Sequence, residues 1–102
     1  MDIPEIDVEA AARLHEAGAA LFMDVRDGAS FAAAHVPGAC HVDDRTIARF
    51  LADTDPARKV VVYCYHGNAS RGGTAYLLQH GFKDVASMSG GFEGWRGRYP
   101  HE

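Results

Sequence analysis

The segment KVVVYCYHGNASRGG, residues 59–73, is the most informative part of this sequence. Its first five residues form a largely apolar, valine-rich run, which is typical of a parallel strand that is covered on both faces. Cys64 then leaves the strand and enters a loop that contains glycine. Residues 74–80 favour a helix, and Gly81 follows them as the usual residue for a left-handed helix end. The stretch therefore predicts a strand, a loop and a helix in that order.

This order gives Cys64 a special position. It lies at the carboxyl end of a strand, which is where open α/β sheets bind their ligands. The backbone N–H groups of such a loop and the positive end of the following helix dipole converge on one place and stabilise an anion there. We expect the thiolate of Cys64 to be that anion. The competing interpretation makes Cys64 a small buried hydrophobic residue at a strand end.

The segments on either side of this stretch alternate between strand and helix patterns. Further strands are predicted around Ile6 and over residues 20–25, 39–42 and 84–88. Helices are predicted after the candidate caps Asp7 and Asp27, after Asp43 or Asp44, and from Gly90-Gly91 to Pro100. Such an alternation calls for parallel β–α–β units with right-handed crossovers. The predicted fold is an α/β three-layer sandwich of about five mostly parallel strands with helices on both faces.

Composition limits the function classes. A chain of 102 residues is expected to form a single domain, residues 1–102, without help from disulfides or a metal. A formal net charge of −4 argues against nucleic acid or an anionic membrane as the main partner. No apolar run approaches the ~20 residues of a membrane span, and the acidic start lacks the features of a signal peptide. The two cysteines predict free thiols in a reducing compartment, hence the cytoplasm.

Four motifs carry a family resemblance. They are MDVR (residues 23–26), FAAAHVPGA (residues 31–39), CYHGN (residues 64–68) and GGFEGW (residues 90–95). In this order and spacing the chain resembles the rhodanese domain, and within it the single-domain bacterial thiosulfate sulfurtransferases of the GlpE type. The resemblance covers roughly residues 20–98 and implies a rhodanese-like sandwich.

The resemblance also implies a reaction. In the family, the loop cysteine attacks the outer sulfur of a donor such as thiosulfate, releases sulfite and holds the sulfur as a persulfide for a thiophilic acceptor, which is cyanide or a thiol. The acceptor could be a dithiol protein of the thioredoxin type, and no cofactor or metal is implied. Cys64 is then the catalytic residue. The remaining loop residues are the expected substrate-binding residues: Tyr65, His66, Gly67, Asn68, Ala69, Ser70 and Arg71.

Other singled-out residues have structural interpretations. Asp24 and Arg26 are expected to support the site, Asp24 by accepting backbone N–H groups beneath the loop and Arg26 by pairing with an acid. Cys40 is interpreted as inert core rather than as a resolving thiol. His35 is expected at a helix C-terminus and Trp95 in the core.

The loop departs from the family pattern in two ways. Some members place Arg or Lys directly after the cysteine, where this chain has Tyr65 and His66, so that Arg71 is the expected fixed charge of the loop. Similar sequences continue with two serines, and here Ala69 replaces the first. Both departures predict weaker use of thiosulfate.

Two alternative functions stay open from the residues. Phosphatases and arsenate reductases hold a tetrahedral oxyanion in a C-x5-R loop, but the position of that arginine is Ser70 here. A non-catalytic rhodanese-like carrier or interaction module usually lacks the cysteine, which this chain retains. Sulfur transfer is therefore the preferred interpretation.

Overall fold

Five parallel strands form the sheet of this protein in a computed structural model that describes residues 2–102. The strands are β1 (Glu5–Asp7), β2 (Leu21–Asp24), β3 (Cys40–His41), β4 (Val60–Tyr63) and β5 (Val85–Ser89). The helices are α1 (Val8–Glu16), α2 (Gly28–Ala33), α3 (Ile47–Asp53), α4 (Ala69–Gln79) and α5 (Gly91–Arg96). The strand order is β1-β5-β4-β2-β3, and every pairing is parallel. The predicted fold class is confirmed.

Strand β4 lies at the centre of the sheet, between β5 and β2. All four of its residues are at most 1% exposed. Val61 and Tyr63 point into a core that includes Phe92 of α5, whereas Val60 and Val62 point into a core that includes Leu77 of α4. Because both faces are covered, the strand is a continuous apolar run rather than an alternating one. Each buried valine contributes roughly 1.5–3 kcal/mol relative to an exposed one.

Several predicted local features are confirmed. Asp7 and Asp27 cap α1 and α2 through their carboxylates, which accept N–H groups of Ala10 and Ser30 at 2.7 Å. Trp95 is 1% exposed and belongs to the core.

Helix α4 begins earlier than predicted. It starts at Ala69 rather than near residue 74, so Gly72 and Gly73 lie within the helix instead of before it. A Cβ on Gly73 would lie 3.2 Å from Cγ1 of Val62, so the absence of a side chain at Gly73 allows the helix to approach the sheet closely. The two glycines suggested a loop, but helix–sheet packing overrides their low helix propensity.

Helix α3 begins later than the predicted caps. Its first residue is Ile47, and Asp43 instead accepts the N–H groups of Arg45 and Thr46 in a preceding turn.

None of the helices in the described residues is both long and apolar enough to cross a bilayer.

Candidate active site

Cys64 follows β4 directly, and the loop returns its backbone towards the sulfur. The N–H of Gly67 donates to Sγ over 3.2 Å, and the N–H of Ser70, in the first turn of α4, donates over 3.3 Å. Gly67 has a φ of +100°, a conformation that favours glycine. The side chain of Cys64 lies at the positive end of α4, as predicted, and the residue is only 6% exposed.

Ser70 also contributes its side chain. Its Oγ lies 3.4 Å from Sγ of Cys64. Burial by itself raises the pKa of the Cys64 thiol, but hydrogen bonds from the Ser70 hydroxyl and from the N–H groups of Ser70, Gly67 and His66 lower it. The net pKa is below the ordinary value of a cysteine. The loop therefore favours a thiolate at Cys64.

The second cysteine has different surroundings. Cys40 lies in the edge strand β3, two strands away from β4, and its Sγ is 3.6 Å from the carbonyl oxygen of Phe22. Burial is the main cause that raises the pKa of the Cys40 thiol. Neither cysteine is in a disulfide. The two thiols thus differ in the direction of their pKa shifts.

Helix α5 holds the outer side of the loop. The N–H of Phe92 donates to the carbonyl oxygen of Cys64 at 2.8 Å, and the N–H of Glu93 donates to that of Tyr65 at 3.0 Å. These bonds give two N–H groups in the first turn of α5 their acceptors, and they tie the loop backbone to the start of that helix. Gly91 makes this approach possible, because it has a φ of +55° and a Cβ there would overlap the carbonyl group of Tyr65.

Asp24 and Arg26 form a buried ion pair with each other. The Nη2 of Arg26 lies 2.7 Å from Oδ2 of Asp24, and the backbone N–H of Arg26 donates to Oδ1 at 2.8 Å. The guanidinium carbon lies 4.8 Å from the ring centroid of Tyr65 and 4.3 Å from that of Phe92. The pair therefore packs against the loop and α5, and its charge is neutralised internally.

The remaining predicted loop residues point to different surroundings. Tyr65 donates its hydroxyl to Oγ of Ser30 at 2.8 Å, which fixes its ring over Arg26. His66, Asn68 and Ala69 are exposed. Arg71 is also exposed, and its Nη1 lies 2.8 Å from a carboxylate oxygen of Glu5 in β1. The guanidinium predicted to supply the loop charge is thus paired with an acid.

Sequence reasoning missed two residues that contact the loop. Ser87 in β5 is fully buried, and its Oγ lies 2.7 Å from that of Ser70. A serine at an inward position of a buried strand was the signal, because such a hydroxyl needs a hydrogen-bond partner. Gly91 was assigned only to a helix start. Its close contact with the loop could not be read from the sequence, since the two segments are remote along the chain.

The described part of the chain contains no cluster of three or more His, Cys, Asp or Glu residues that could hold a metal ion. The groups around Sγ are backbone N–H donors and a hydroxyl, which suit an anionic sulfur rather than a cation.

Known proteins share both the sequence and the fold. The sequence profile described as Rhodanese-like domain matches residues 7–98. The thiosulfate sulfurtransferase GlpE of Pseudomonas savastanoi pv. phaseolicola is 46% identical over 101 residues, which cover 99% of this chain and 94% of that protein. The thiosulfate sulfurtransferase GlpE of Pseudomonas aeruginosa is 48% identical over 92 residues, which cover 90% and 83%.

The fold likeness extends to a solved structure. The rhodanese-like domain of the Alr3790 protein from Anabaena has a TM-score of 0.88 and 24% identity, and the match covers 100% of this chain and 80% of that one. The resemblance inferred from the four motifs is confirmed by the profile and by the two relatives. The chain belongs to the rhodanese-like domain family.

Proposed function

We propose that this protein is a thiosulfate sulfurtransferase that carries the transferred sulfur as a persulfide on Cys64. The observation that carries the proposal is the surroundings of Sγ, which accepts two backbone N–H groups and lies beside the Ser70 hydroxyl at the start of α4. The identity with two relatives named thiosulfate sulfurtransferase supports the donor.

The reaction consists of two displacements at the same sulfur. In the first, the thiolate of Cys64 attacks the outer sulfur of thiosulfate; a sulfur–sulfur bond forms, and sulfite leaves with the electron pair of the bond that breaks. In the second, cyanide or a thiolate attacks the outer sulfur of the persulfide, and the thiolate of Cys64 leaves with the electron pair. No net oxidation occurs in transfer to cyanide, so no cofactor is needed.

The lowered pKa of Cys64 serves both steps. It raises the fraction of thiolate that can attack in the first step. In the second step Cys64 is the leaving group, and a thiolate of lower pKa leaves faster. The N–H groups of Gly67 and Ser70 are already placed on Sγ, so negative charge that returns to Sγ meets donors that need no reorganisation.

The charges near the loop support only weak binding of a dianionic donor. Arg26 is paired with Asp24, and Arg71 is paired with Glu5. The donor therefore meets backbone dipoles and the exposed residues of the loop, rather than an unpaired guanidinium. We therefore infer a high KM for thiosulfate. The proposed substrate-binding residues are those of the loop: Tyr65, His66, Gly67, Asn68, Ala69, Ser70 and Arg71.

The alternative functions have less support. A phosphatase of the C-x5-R type needs a guanidinium at position 70, where this chain directs a serine hydroxyl at the cysteine sulfur. A non-catalytic sulfur-carrier or interaction module does not turn over, and the lowered pKa of Cys64 favours a catalytic cysteine over it. A phosphatase or an interaction module predicts that thiosulfate leaves the protein unmodified, whereas a carrier predicts added sulfur without turnover to cyanide.

Acceptor and compartment are further parts of the proposal. A dithiol protein of the thioredoxin type suits the persulfide, because its first thiolate takes the outer sulfur and its second thiol then displaces hydrosulfide and closes a disulfide. Hydrosulfide release with such a dithiol tests this acceptor.

The free thiols of Cys40 and Cys64 support a reducing compartment, and we place the reaction in the cytoplasm.

Intact-mass measurement after incubation with thiosulfate tests the function. We expect the mass of one added sulfur on the peptide that contains Cys64, release of sulfite, and loss of the added mass when cyanide is supplied. Cys64→Ser should abolish the change, whereas Cys40→Ser should retain most of it and serves as the matched control. Sulfur on Cys40, or loss of turnover in a folded Cys40→Ser protein, would point to a two-thiol mechanism instead.

A further inference from the structure

We propose that Ser87 is a positioning residue for Cys64: its hydroxyl orients the hydroxyl of Ser70 so that Ser70 donates to the thiolate. The proposal rests on the proposed function and adds a residue from β5 to the site. It is carried by two consecutive contacts that join three residues: Ser87 Oγ lies 2.7 Å from Ser70 Oγ, and Ser70 Oγ lies 3.4 Å from Cys64 Sγ. Ser70 and Ser87 are both fully buried.

The backbone places Ser87 for this contact. Ser87 lies opposite Val62 in the parallel pairing of β5 with β4. Val62 is two residues before Cys64. The side chain of Ser87 therefore faces the same side of the sheet as Val62, which is the side that α4 covers. The backbone N–H of Ser87 donates to the carbonyl oxygen of Pro4 at 2.9 Å, so the strand is fixed on its other side as well.

The number of available protons fixes the direction of these two hydrogen bonds. A serine hydroxyl has one proton and can donate only once. When Cys64 is a thiol, its S–H can donate to Ser70, and the Ser70 proton is then free to point at Ser87. When Cys64 is a thiolate, Ser70 must donate to Sγ, and Ser87 becomes the donor to Ser70. Ionisation thus turns both hydroxyls towards the sulfur.

When Ser87 donates a hydrogen bond to the Ser70 hydroxyl, that hydroxyl becomes a stronger donor to Sγ of Cys64. Consecutive hydrogen bonds polarise one another, most effectively in a buried region next to a charge. Ala69 has no hydroxyl, and among residues 2–102 the side chain that is hydrogen-bonded to Sγ is that of Ser70. The stabilisation that Ser70 gives to the thiolate therefore depends on the hydroxyl of Ser87.

The first experiment measures the pKa of the Cys64 thiol and does not depend on sulfur transfer. The pKa of Cys64 is obtained from the alkylation rate against pH, followed by mass spectrometry of the Cys64 peptide in the absence of any sulfur donor. The other ionisable side chains of the loop and of the neighbouring strand and helix ends are unchanged in every variant: Glu5, Asp7, Asp24, Arg26, Tyr63, Tyr65, His66, Arg71 and Glu93. A shift between variants therefore reports the hydroxyl chain.

We expect Ser87→Ala to raise the pKa of Cys64 by about half a unit, because the thiolate loses more than the thiol when the chain is shortened. Ser87→Thr, which keeps the hydroxyl, should restore the wild-type value. In the Ser70→Ala background, Ser87→Ala should change nothing, since the link to Sγ is already missing. Thr74→Val removes another buried hydroxyl, which donates to the carbonyl oxygen of Ser70 at 2.8 Å, and should leave the pKa unchanged.

Persulfide formation in a single turnover provides a second measurement. Below the pKa, Ser87→Ala should be about threefold slower than wild type, and the two rates should converge at high pH, where both thiols are ionised. Far-UV circular dichroism of each variant shows that it is folded. An unchanged pKa in folded Ser87→Ala, or an equal shift with and without Ser70, would overturn the proposal. Either outcome is independent of whether thiosulfate is the donor.

Discussion

Cys64 and Cys40 show how position controls the chemistry of a residue. Both thiols are at least partly buried, and burial alone raises the pKa of each. Only Cys64 has donors enough to reverse that effect. The alkylation rate of Cys64 should therefore rise at lower pH than that of Cys40, because the thiolate is the reactive form. Peptide-resolved alkylation across a pH series measures both, and coincident profiles would remove the electrostatic argument for Cys64.

His66 is the best loop position at which to add positive charge. An arginine at Tyr65 would remove the ring that packs on Arg26 and place a second guanidinium nearby. His66 is exposed, and its backbone rather than its side chain contributes to the lowered pKa of Cys64. We expect His66→Arg to lower the KM for thiosulfate several-fold and to lose this advantage at high salt.

The matched control is His66→Gln, which changes the side chain without a fixed charge. Steady-state rates with cyanide as acceptor give KM and kcat for both variants. If both variants change KM equally, charge is not what limits donor binding.

At the level of elements, α4 contains a pair of glycines with different functions. Gly72 has open space around its missing Cβ, whereas a Cβ on Gly73 would press on Val62, which is fully buried. Gly72→Ala should stabilise the protein by roughly 0.5–1 kcal/mol through helix propensity. Gly73→Ala should destabilise it by about 1 kcal/mol because the core cannot yield. Urea unfolding of the two variants provides the comparison, and equal effects would show that Val62 can move.

Helix α5 provides the second element-scale prediction. Gly91→Ala should separate α5 from the loop, because a Cβ would overlap the carbonyl group of Tyr65 at a backbone conformation that favours glycine. We expect a loss of stability of several kcal/mol or a displaced loop, and in either case at least a tenfold loss of sulfur transfer. Gly97→Ala at the end of α5 meets open space and is the control. A fully active, stable Gly91→Ala protein would show that α5 does not hold the loop.

For the whole molecule, we propose that residues 1–102 unfold as one domain. Both cores pack against the same sheet, and β4 contributes side chains to each of them. Loss of one layer would therefore expose half of β4 to water. Unfolding followed by fluorescence of Trp95, the one tryptophan, and by far-UV circular dichroism should give a single, coincident transition. Two separated transitions would contradict a single cooperative unit.

The sequence alone predicted the parallel sheet, the central strand and the place of Cys64. These features depend on local patterns: an apolar run that needs cover on both faces, caps such as Asp7 and Asp27, and a cysteine where that run ends. The family motifs added the reaction. The start of α4 was not predicted, because Gly72 and Gly73 have a low helix propensity whether they lie in a loop or, as here, within a helix packed on the sheet.

The surroundings of the sulfur depend on long-range packing. Ser87, Gly91 and Glu5 are remote from Cys64 along the chain, and strand pairing and helix packing bring them to the loop or its charges. Hydrogen bonds and ion pairs act over about 3–4 Å, so a pattern along the chain cannot reveal them until the fold sets those distances. For that reason the sequence placed a thiolate at Cys64, whereas the structure showed that Arg71 is paired with Glu5 and that a serine from β5 stands behind Ser70.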